Sequence, residues 1–487
     1  MTTTFTRKGT LFDNPVDFDN IIFDTDSYKL SQYNQYGDGT EYISSYIEAR
    51  QPNGAIDKVV FFGLQVELAK LAGRVVTQAS LNEATPFLKA HGLDIFVSGW
   101  QHIIDAHDGN LPVLIEAMPE GTLAPVALPQ VRIRNTDPAC FWLVSYLETR
   151  LLRAVWYGSS VASISHHVVS KIRQAMMITD GTTDGAEFKL HDFGARGATS
   201  RESAGIGGAA HLINSRGTDT VMGLVYARNF YGAEMAGFSI PATEHSTMTA
   251  RGPDGEMRQM REFLEQNPDG IIACVSDSYD LMRAVKDYWG GALRDEVLGR
   301  NGILVVRPDS GDPVEIVPDV IEALMARFGY TTTTTGYRLL NEKVRVIQGD
   351  GVDKDSINDI MSAMIARGQA IGNIAFGMGG GLLQKVSRDD FGYAMKASAL
   401  CRDGVWHDVY KDPMTAGGTK TSRRGIQGTM VTDSGNFVAR RAANIPPGYD
   451  SLRPVFENGR IIDPVLFEDI RNRAWGRASK PLMTAAA

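Results

Sequence analysis

The stretch Asn373–Asp389, NIAFGMGGGLLQKVSRD, carries an apolar run, Ile374–Phe376, that reads as a buried strand. The run ends in glycines, Gly377, Gly379, Gly380 and Gly381, interrupted only by Met378, with Lys385 and Arg388 just beyond. Glycine admits positive φ and lets a ligand approach backbone N–H groups. Such a turn can form an anion nest, and a helix N-terminus adds positive potential, so a phosphate is its natural guest. Tight helix–strand packing is the simpler reading of the same glycines. The stretch is not a P-loop, because the lysine is displaced and no Ser or Thr follows it.

Three similar runs precede it: GIIACVSDSYD, NGILVVRPDSGDP and KVRVIQGDGVD. Each is a short apolar segment ending in polar or glycine residues. Helical patterns lie between them. In KDSINDIMSAMIARG, Ile357, Ile360, Met361, Met364 and Ile365 share one face and Gly368 supplies a stop; VEIVPDVIEALMARFGY is similar. Strands alternating with helices imply parallel βα units. A doubly wound open sheet also binds ligands at strand C-termini. Four successive strand ends carrying polar groups favour a barrel, whose ligand face is the C-terminal one.

The rest of the chain is less regular. FFGLQVELAKLAGRVV and DPACFWLVSYLETRLLRAVWYG read as helices, LPVLIEAMPEGTLAPVALPQVRIRNTD as short strands joined by turns, and MVTDSGNFVARRA as a hairpin. These parts imply a second, β-rich α+β domain made of residues 1–185 together with 390–487, flanking an irregular parallel βα barrel over 186–389. The fold class is therefore α/β. Thr331–Thr335 reads as a low-complexity loop without assignable chemistry, and DPMTAGGTKTSRRGIQG as an exposed, mobile, basic segment.

Composition bounds the function. The 487 residues, 43% hydrophobic and 22% charged, fit a soluble enzyme of two or three domains. A net charge of −8 does not suggest a nucleic-acid surface, so any anionic ligand needs a local cluster of Arg and Lys. Three cysteines, Cys140, Cys274 and Cys401, are an odd number with no pair at metal-ligand spacing, which points to a reducing compartment. No signal-peptide core and no bilayer-length apolar run are present, so a cytoplasmic location is expected.

Taken singly, the polar residues have bland readings. Asp309 in RPDSG could cap its own turn; Gly349 and Asp350 in QGDG could be a turn; Asp219 and Asp277 could cap helices; His245 could be structural. Read in order, DTDSYKLSQYNQY, KLHDFGARG, RGTDT, EHST, VSDSYD, RPDSGDP, VIQGDGVD and FGMGGGLLQK closely resemble the nicotinamide phosphoribosyltransferase family, within the type II phosphoribosyltransferases. The resemblance spans nearly the whole chain from Asp24.

The resemblance implies an irregular βα barrel with a β-rich second domain, and a homodimer with two shared active sites. It implies transfer of phosphoribosyl from phosphoribosyl pyrophosphate to nicotinamide, giving nicotinamide mononucleotide and pyrophosphate, assisted by Mg2+ and stimulated by ATP through a phosphohistidine, in NAD salvage. Residue by residue, Gly379 and Gly380 would take the 5′-phosphate, with Arg388 neutralising it. Phe193 would stack on the pyridine ring, with Tyr28 of the partner subunit on its other face. Asp219 would accept from the carboxamide, and Arg196 and Arg307 would bind phosphate oxygens. Asp309, Gly349 and Asp350 would hold the ribose and the metal-bound substrate; no metal ligand is assigned. His245 would carry the phosphoryl group, oriented by Asp277. Asp26, Arg50 and Lys396 match other site positions, some contributed across the dimer. Met378 and Ala394 stand where members often have serine, which shifts phosphate binding toward backbone N–H groups and Lys396.

Three rivals remain. Nicotinate phosphoribosyltransferase shares the fold, but the Asp219 carboxylate should repel nicotinate. A catalytically silent binding protein would not need Arg196, His245, Asp277, Arg307 and Asp309 together. A phosphate-binding barrel of the flavin or sugar-phosphate kind explains the glycines but not EHST with RPDSG.

Overall fold

A computed structural model describes residues 15–413 and 421–477. Residues 414–420 of the glycine-rich basic segment 412–428 therefore lie outside the described residues, as does the extreme N-terminus.

The four expected strands form, as Asp269–Val275, Asn301–Arg307, Val344–Gln348 and Ile374–Met378. They pair in parallel with each other and with Leu190–Asp192 and Gly217–Thr218 in one six-stranded sheet. Its edge strands are joined by one irregular segment. Phe238 bridges to Gly217 and Ala242 to Ala273, both in parallel. Pro241 sits in that segment and lacks an amide hydrogen, yet its carbonyl accepts from Ala273 N at 2.9 Å. The sheet thus closes into an irregular barrel.

Period-two alternation sorts the strand residues. Ile272, Leu304, Val306, Val346 and Phe376 join the main core under the outer helices. Ala273, Val305 and Ile347 form a separate small cluster, against which Ala375, Ile240 and Phe193 pack. The helices Pro313–Phe328 and Ser356–Ala366 form as expected, the latter burying Ile357, Ile360, Met361 and Met364 and followed by Gly368 at φ +68°.

Seven antiparallel strands make a second sheet from both ends of the chain. Thr40–Ala49 lies between Ala394–Arg402 and Leu128–Asn135; beyond the latter come Val113–Ala117 and Arg453–Glu457. The hairpin near the C-terminus pairs Gln427–Val431 with Phe437–Arg441.

Between the two halves runs a 32-residue helix, Glu148–Thr179. Its face Gly158–Ser163 is small and buried, so backbone can come close to it. Ser159 Oγ accepts from Phe62 N at 3.0 Å and Ser163 Oγ from Val60 N at 2.9 Å. The serines satisfy buried amides that would otherwise cost free energy. The threonine tract also acquires a role. Thr332 ends a strand paired with Arg338–Leu340, and the hydroxyls of Thr333 and Thr335 both donate to Thr179 O, at 2.7 and 2.6 Å. They terminate the long helix by supplying donors to its last carbonyl.

Candidate active site

The polar residues singled out above collect at the C-terminal ends of the parallel strands, the ligand face of a βα barrel. Phe193 and Arg196 follow Leu190–Asp192, Asp219 follows Gly217–Thr218, and His245 follows the bridging segment. Asp277, Asp309 with Arg307, Gly349 with Asp350, and Gly379 with Gly380 follow the remaining strands.

The glycine cluster works by close approach. None of Gly377, Gly379, Gly380 and Gly381 has positive φ. Instead the Phe193 ring lies directly on bare backbone. A Cβ on Gly377 would sit 2.0 Å from Phe193 Cε2, and one on Gly349 3.1 Å from the same atom. A Cβ on Gly349 would also lie 3.7 Å from Asp309 Oδ1, so ring, glycine and carboxylate share one corner. Phe193 N donates to Met378 O at 3.1 Å, fixing the ring's backbone to the glycine strand. The helix after the glycines is a single turn, Gly380–Leu383, too short for an extended dipole. The local donors matter instead: the N–H groups of Gly379, Gly380 and Gly381 donate to nothing among the described residues, and a Cβ on Gly380 would meet nothing within 4 Å. The Tyr157 hydroxyl lies 2.7 Å from Leu383 O and 3.1 Å from Ser203 O, holding this turn against neighbouring helices. Met378 is fully buried, so its side chain faces the core.

Three bland readings fail on geometry. The helix Leu281–Arg283 is capped by Asp280, not Asp277. In the RPDSG turn no backbone N–H donates to the Asp309 carboxylate among the described residues, so Asp309 does not cap its own turn. Thr220 occupies the N-cap before Val221–Tyr231, while the Asp219 carboxylate accepts from Ser239 Oγ at 2.5 Å. The freed carboxylates form a chain. Asp277, 4% exposed, lies 3.0 Å from His245 Nε2 through Oδ1, and its Oδ2 accepts from Asp309 N at 3.2 Å and Ser310 Oγ at 2.5 Å. Asp309 Oδ2 is 3.8 Å from His245 Nδ1 and Oδ1 is 3.7 Å from Arg307 Nε. A carboxylate only accepts, so His245 carries its proton on Nε2 and leaves the Nδ1 lone pair open, with the ring 47% exposed. Arg307 Nε is buried without a hydrogen-bond partner, so this cation has donor capacity for an anionic ligand. Arg196 is exposed beside the glycine turn.

A second cationic group lies on the antiparallel sheet. Burial, then the charges of Arg50, Lys411 and Arg388, hold Lys396 below its ordinary range. Arg50 donates to Gly392 O at 2.7 Å, and Arg388 pairs at the surface with Asp389 at 3.0 Å. Tyr28 is 59% exposed, while its neighbour Lys29 is buried against Glu148 at 2.6 Å with its ammonium 5.2 Å from the Tyr28 ring centroid. Asp26 accepts from Thr149 Oγ1 at 2.7 Å. Among the described residues, no hydrogen bond, ion pair or ring contact joins Tyr28, Arg50 or Lys396 to Phe193, His245 or Asp309 of the same chain.

The hard oxygen ligands that Mg2+ prefers are present: the Asp309 carboxylate is only loosely engaged, and Asp350 is exposed after the end of the strand paired with the one that precedes Asp309. These residues fit such an ion.

Asp192 was missed in the sequence because it lies one position before the more conspicuous Phe193. It is fully buried; its Oδ1 accepts from Gly194 N at 2.7 Å and its carbonyl from Asp219 N at 2.9 Å. It therefore positions both the Phe193 turn and Asp219. Burial, partly offset by the Gly194 N–H, pushes its carboxyl up to about 6. An acid raised in the fold stabilises the protein fully below its unfolded value and loses that contribution as pH rises through the folded one. Between about pH 4 and 6 the loss amounts to roughly 3 kcal/mol for this group. Asp192→Asn removes the titration, so the difference in stability between variant and parent should shift in the variant's favour across that window. Thermal unfolding of both proteins from pH 4 to 8 measures it; parallel profiles would show that Asp192 titrates normally.

Residues 188–459 match the model of the nicotinate phosphoribosyltransferase (NAPRTase) family, and residues 20–115 match the nicotinamide phosphoribosyltransferase N-terminal domain. The chain is 44% identical over 465 residues to a nicotinamide phosphoribosyltransferase of Xanthomonas campestris pv. campestris, covering 94% of this chain and 98% of that protein. It is 32% identical to one of Acinetobacter baylyi, covering 92% and 95%. Its fold resembles the crystal structure of nicotinate-nucleotide pyrophosphorylase from Pyrococcus furiosus, with a TM-score of 0.60 at 16% identity over 96% and 98% of the two chains. It also resembles human nicotinic acid phosphoribosyltransferase, with a TM-score of 0.56 at 17% identity over 93% of each chain. With its barrel matched by the family model and relatives aligned along nearly its full length, the chain belongs to the nicotinate phosphoribosyltransferase (NAPRTase) family.

Proposed function

We propose that the chain transfers phosphoribosyl from phosphoribosyl pyrophosphate to nicotinamide, forming nicotinamide mononucleotide and pyrophosphate in NAD biosynthesis. The observation that carries this choice of base is the acceptor-only carboxylate of Asp219, on the strand end beside Phe193. Phe193, seated on Gly377 and Gly349, offers a flat face that holds the pyridine ring in line with the sugar. The pyridine nitrogen attacks the anomeric carbon as the bond to pyrophosphate breaks. That nitrogen carries no proton, so no general base is needed. Arg307 and Arg196 meet the charge growing on the leaving group. The unpaired N–H groups of Gly379–Gly381 suit the 5′-phosphate. Asp309 and Asp350 are the residues that would hold Mg2+, which when bound neutralises pyrophosphate oxygens. The three free thiols favour a reducing compartment, the cytoplasm.

Nicotinamide offers an amide donor, whereas nicotinate offers a second negative charge. At about 4 Å and an effective dielectric near 20, that repulsion is roughly 4 kcal/mol. Screening reduces it, yet about 1.4 kcal/mol already gives tenfold selectivity. Asp219→Ser should therefore weaken nicotinamide use and admit nicotinate. The ratio of kcat/KM for the two bases measures this, and an unchanged ratio would move base selection elsewhere.

His245 suits nucleophilic phosphoryl acceptance. Nδ1 would attack the γ-phosphorus of ATP, the bond to ADP would break, and Asp277 would balance the imidazolium charge through the Nε2 proton. His245→Ala should abolish ATP hydrolysis and the ATP-dependent gain in product while leaving slow uncoupled transfer. Undiminished ATPase activity in this variant would remove His245 from that role.

The lack of contact, among the described residues, between Tyr28, Arg50 or Lys396 and Phe193, His245 or Asp309 of the same chain fits a two-fold homodimer in which each active site draws on both subunits. Tyr28→Ala and Asp309→Ala homodimers should each be nearly inactive. Refolding them together should restore activity, because one of the two sites in a mixed dimer is then intact. Absence of complementation in verified mixed dimers would show that each chain completes its own site.

A further inference from the structure

His102, His107, Asp137 and Cys140 come together away from the barrel strand ends, each offering one ligand atom within 4.8 Å of all the others. We propose that these four side chains form a structural zinc site.

Two local geometries converge there. His102 lies within the helix Val97–His107, and His107 is its last residue, before Asp108 turns left-handed at φ 48°. Asp137 caps the short 3-10 turn Pro138–Cys140 that follows the strand Leu128–Asn135. In a 3-10 turn residues three apart eclipse, so Asp137 and Cys140 point the same way. The histidines thus arrive from one element and the carboxylate–thiol pair from another.

Both imidazole Nε2 atoms converge on a single oxygen, Asp137 Oδ2, at 2.8 Å from His102 and 2.6 Å from His107. The other oxygen, Oδ1, is occupied by Ala139 N at 2.8 Å, and Asn135 Nδ2 holds the Asp137 carbonyl at 2.8 Å. Such outer contacts orient a ligating carboxylate. The Cys140 thiol is fully buried at 0% exposure, while both histidines are partly exposed, which leaves an entry path from solvent. Cys274 and Cys401 each give their sulfur a hydrogen-bond partner; Cys140 has none among the described residues.

The donor set selects the ion. Two imidazoles, a thiolate and a carboxylate are a borderline-soft tetrahedral set, which suits Zn2+ and not Mg2+ or Ca2+. Tetrahedral zinc, at about 2.0–2.1 Å from nitrogen and about 2.3 Å from sulfur, spaces its ligands roughly 3.3–3.8 Å apart. The histidines and Asp137 open slightly from hydrogen-bond contact, and the most distant pair closes by about 1 Å to reach that spacing. On binding, the Cys140 proton leaves to solvent, and each histidine gives up the Nε2 proton that it donates to Asp137 and carries its one remaining proton on Nδ1. Thiolate and carboxylate then balance the two positive charges, so a largely buried site becomes neutral.

The full-length protein, stripped with chelator and desalted, would be titrated with Zn2+ against a colorimetric competitor and separately with Co2+. One Zn2+ per chain, a higher thermal midpoint with Zn2+, and a thiolate-to-cobalt charge-transfer band are expected. Cys140→Ser should lose that band while remaining folded by circular dichroism. The double variant His102→Ala, His107→Ala should bind Zn2+ at least tenfold more weakly. A parent protein without stoichiometric zinc, a cobalt spectrum lacking thiolate character, or unchanged affinity in the double variant would each reduce the cluster to a histidine–aspartate ion pair and overturn the assignment.

Discussion

The contact of the Phe193 ring with bare backbone at Gly377 sets the geometry of the whole candidate site. A Cβ at Gly377 would overlap the ring at 2.0 Å, so no other residue type permits this seat without displacing Phe193 or the strand. From it follow several dependencies. The Phe193 amide is bound to the same strand, the ring also rests on Gly349 of the next strand, and Gly349 faces Asp309. Three adjacent strand ends are therefore coupled through one aromatic side chain. Asp192, buried beneath the turn, extends the coupling to Asp219 on the other side. The Phe193 ring and Asp219, the residue proposed to choose the base, are thus held from consecutive positions, Asp192 and Phe193, at the end of one short strand.

Charge organises the remaining half. Asp277 is nearly inaccessible, and a buried carboxylate is costly unless its oxygens are engaged. Here His245, Asp309 N and Ser310 share them. The same contacts orient the imidazole with one lone pair outward and fix the loop that carries Asp309. Arg307 is close enough to Asp309 for attraction but too far for a hydrogen bond, so its donors remain available to an anion. In a chain of net charge −8, cationic side chains are nonetheless gathered locally, on the barrel at Arg307 and on the antiparallel sheet around Lys396.

Much of this was legible in sequence for a definite physical reason. Buried parallel strands are continuous apolar runs, and the polar residues that end them fall on one face of a barrel by construction. The strands from Asp269 onward and the helix Ser356–Ala366 follow from that pattern alone. Sequence could not decide whether Asp219 and Asp277 were helix caps or whether Asp309 capped its own turn. Thr220 and Asp280 lie one and three positions away and compete for the same helix amides. The glycine cluster was recognised, but its use was not. Backbone flexibility and close approach predict the same residue, and only the position of Phe193, nearly two hundred residues earlier in the chain, separates them. The threonine tract and the histidine pair were silent because their partners, Thr179 O and the Asp137–Cys140 turn, are distant in sequence.

The long helix explains how two unlike sheets can share one binding region. Its serine and glycine face admits the strand Lys58–Val60 and the following Phe62 closely enough for hydroxyls to bind their amides. Its Tyr157 reaches the glycine turn on the barrel side, and Glu148 at its start binds Lys29, the neighbour of the exposed Tyr28. Both the glycine turn and the exposed aromatic are thus referenced to a single rigid element. The proposed two-subunit site would need that property. The barrel group and the Tyr28 surface can meet correctly across a two-fold axis only if their separation within each chain is fixed, and one continuous helix fixes it more firmly than any loop between them.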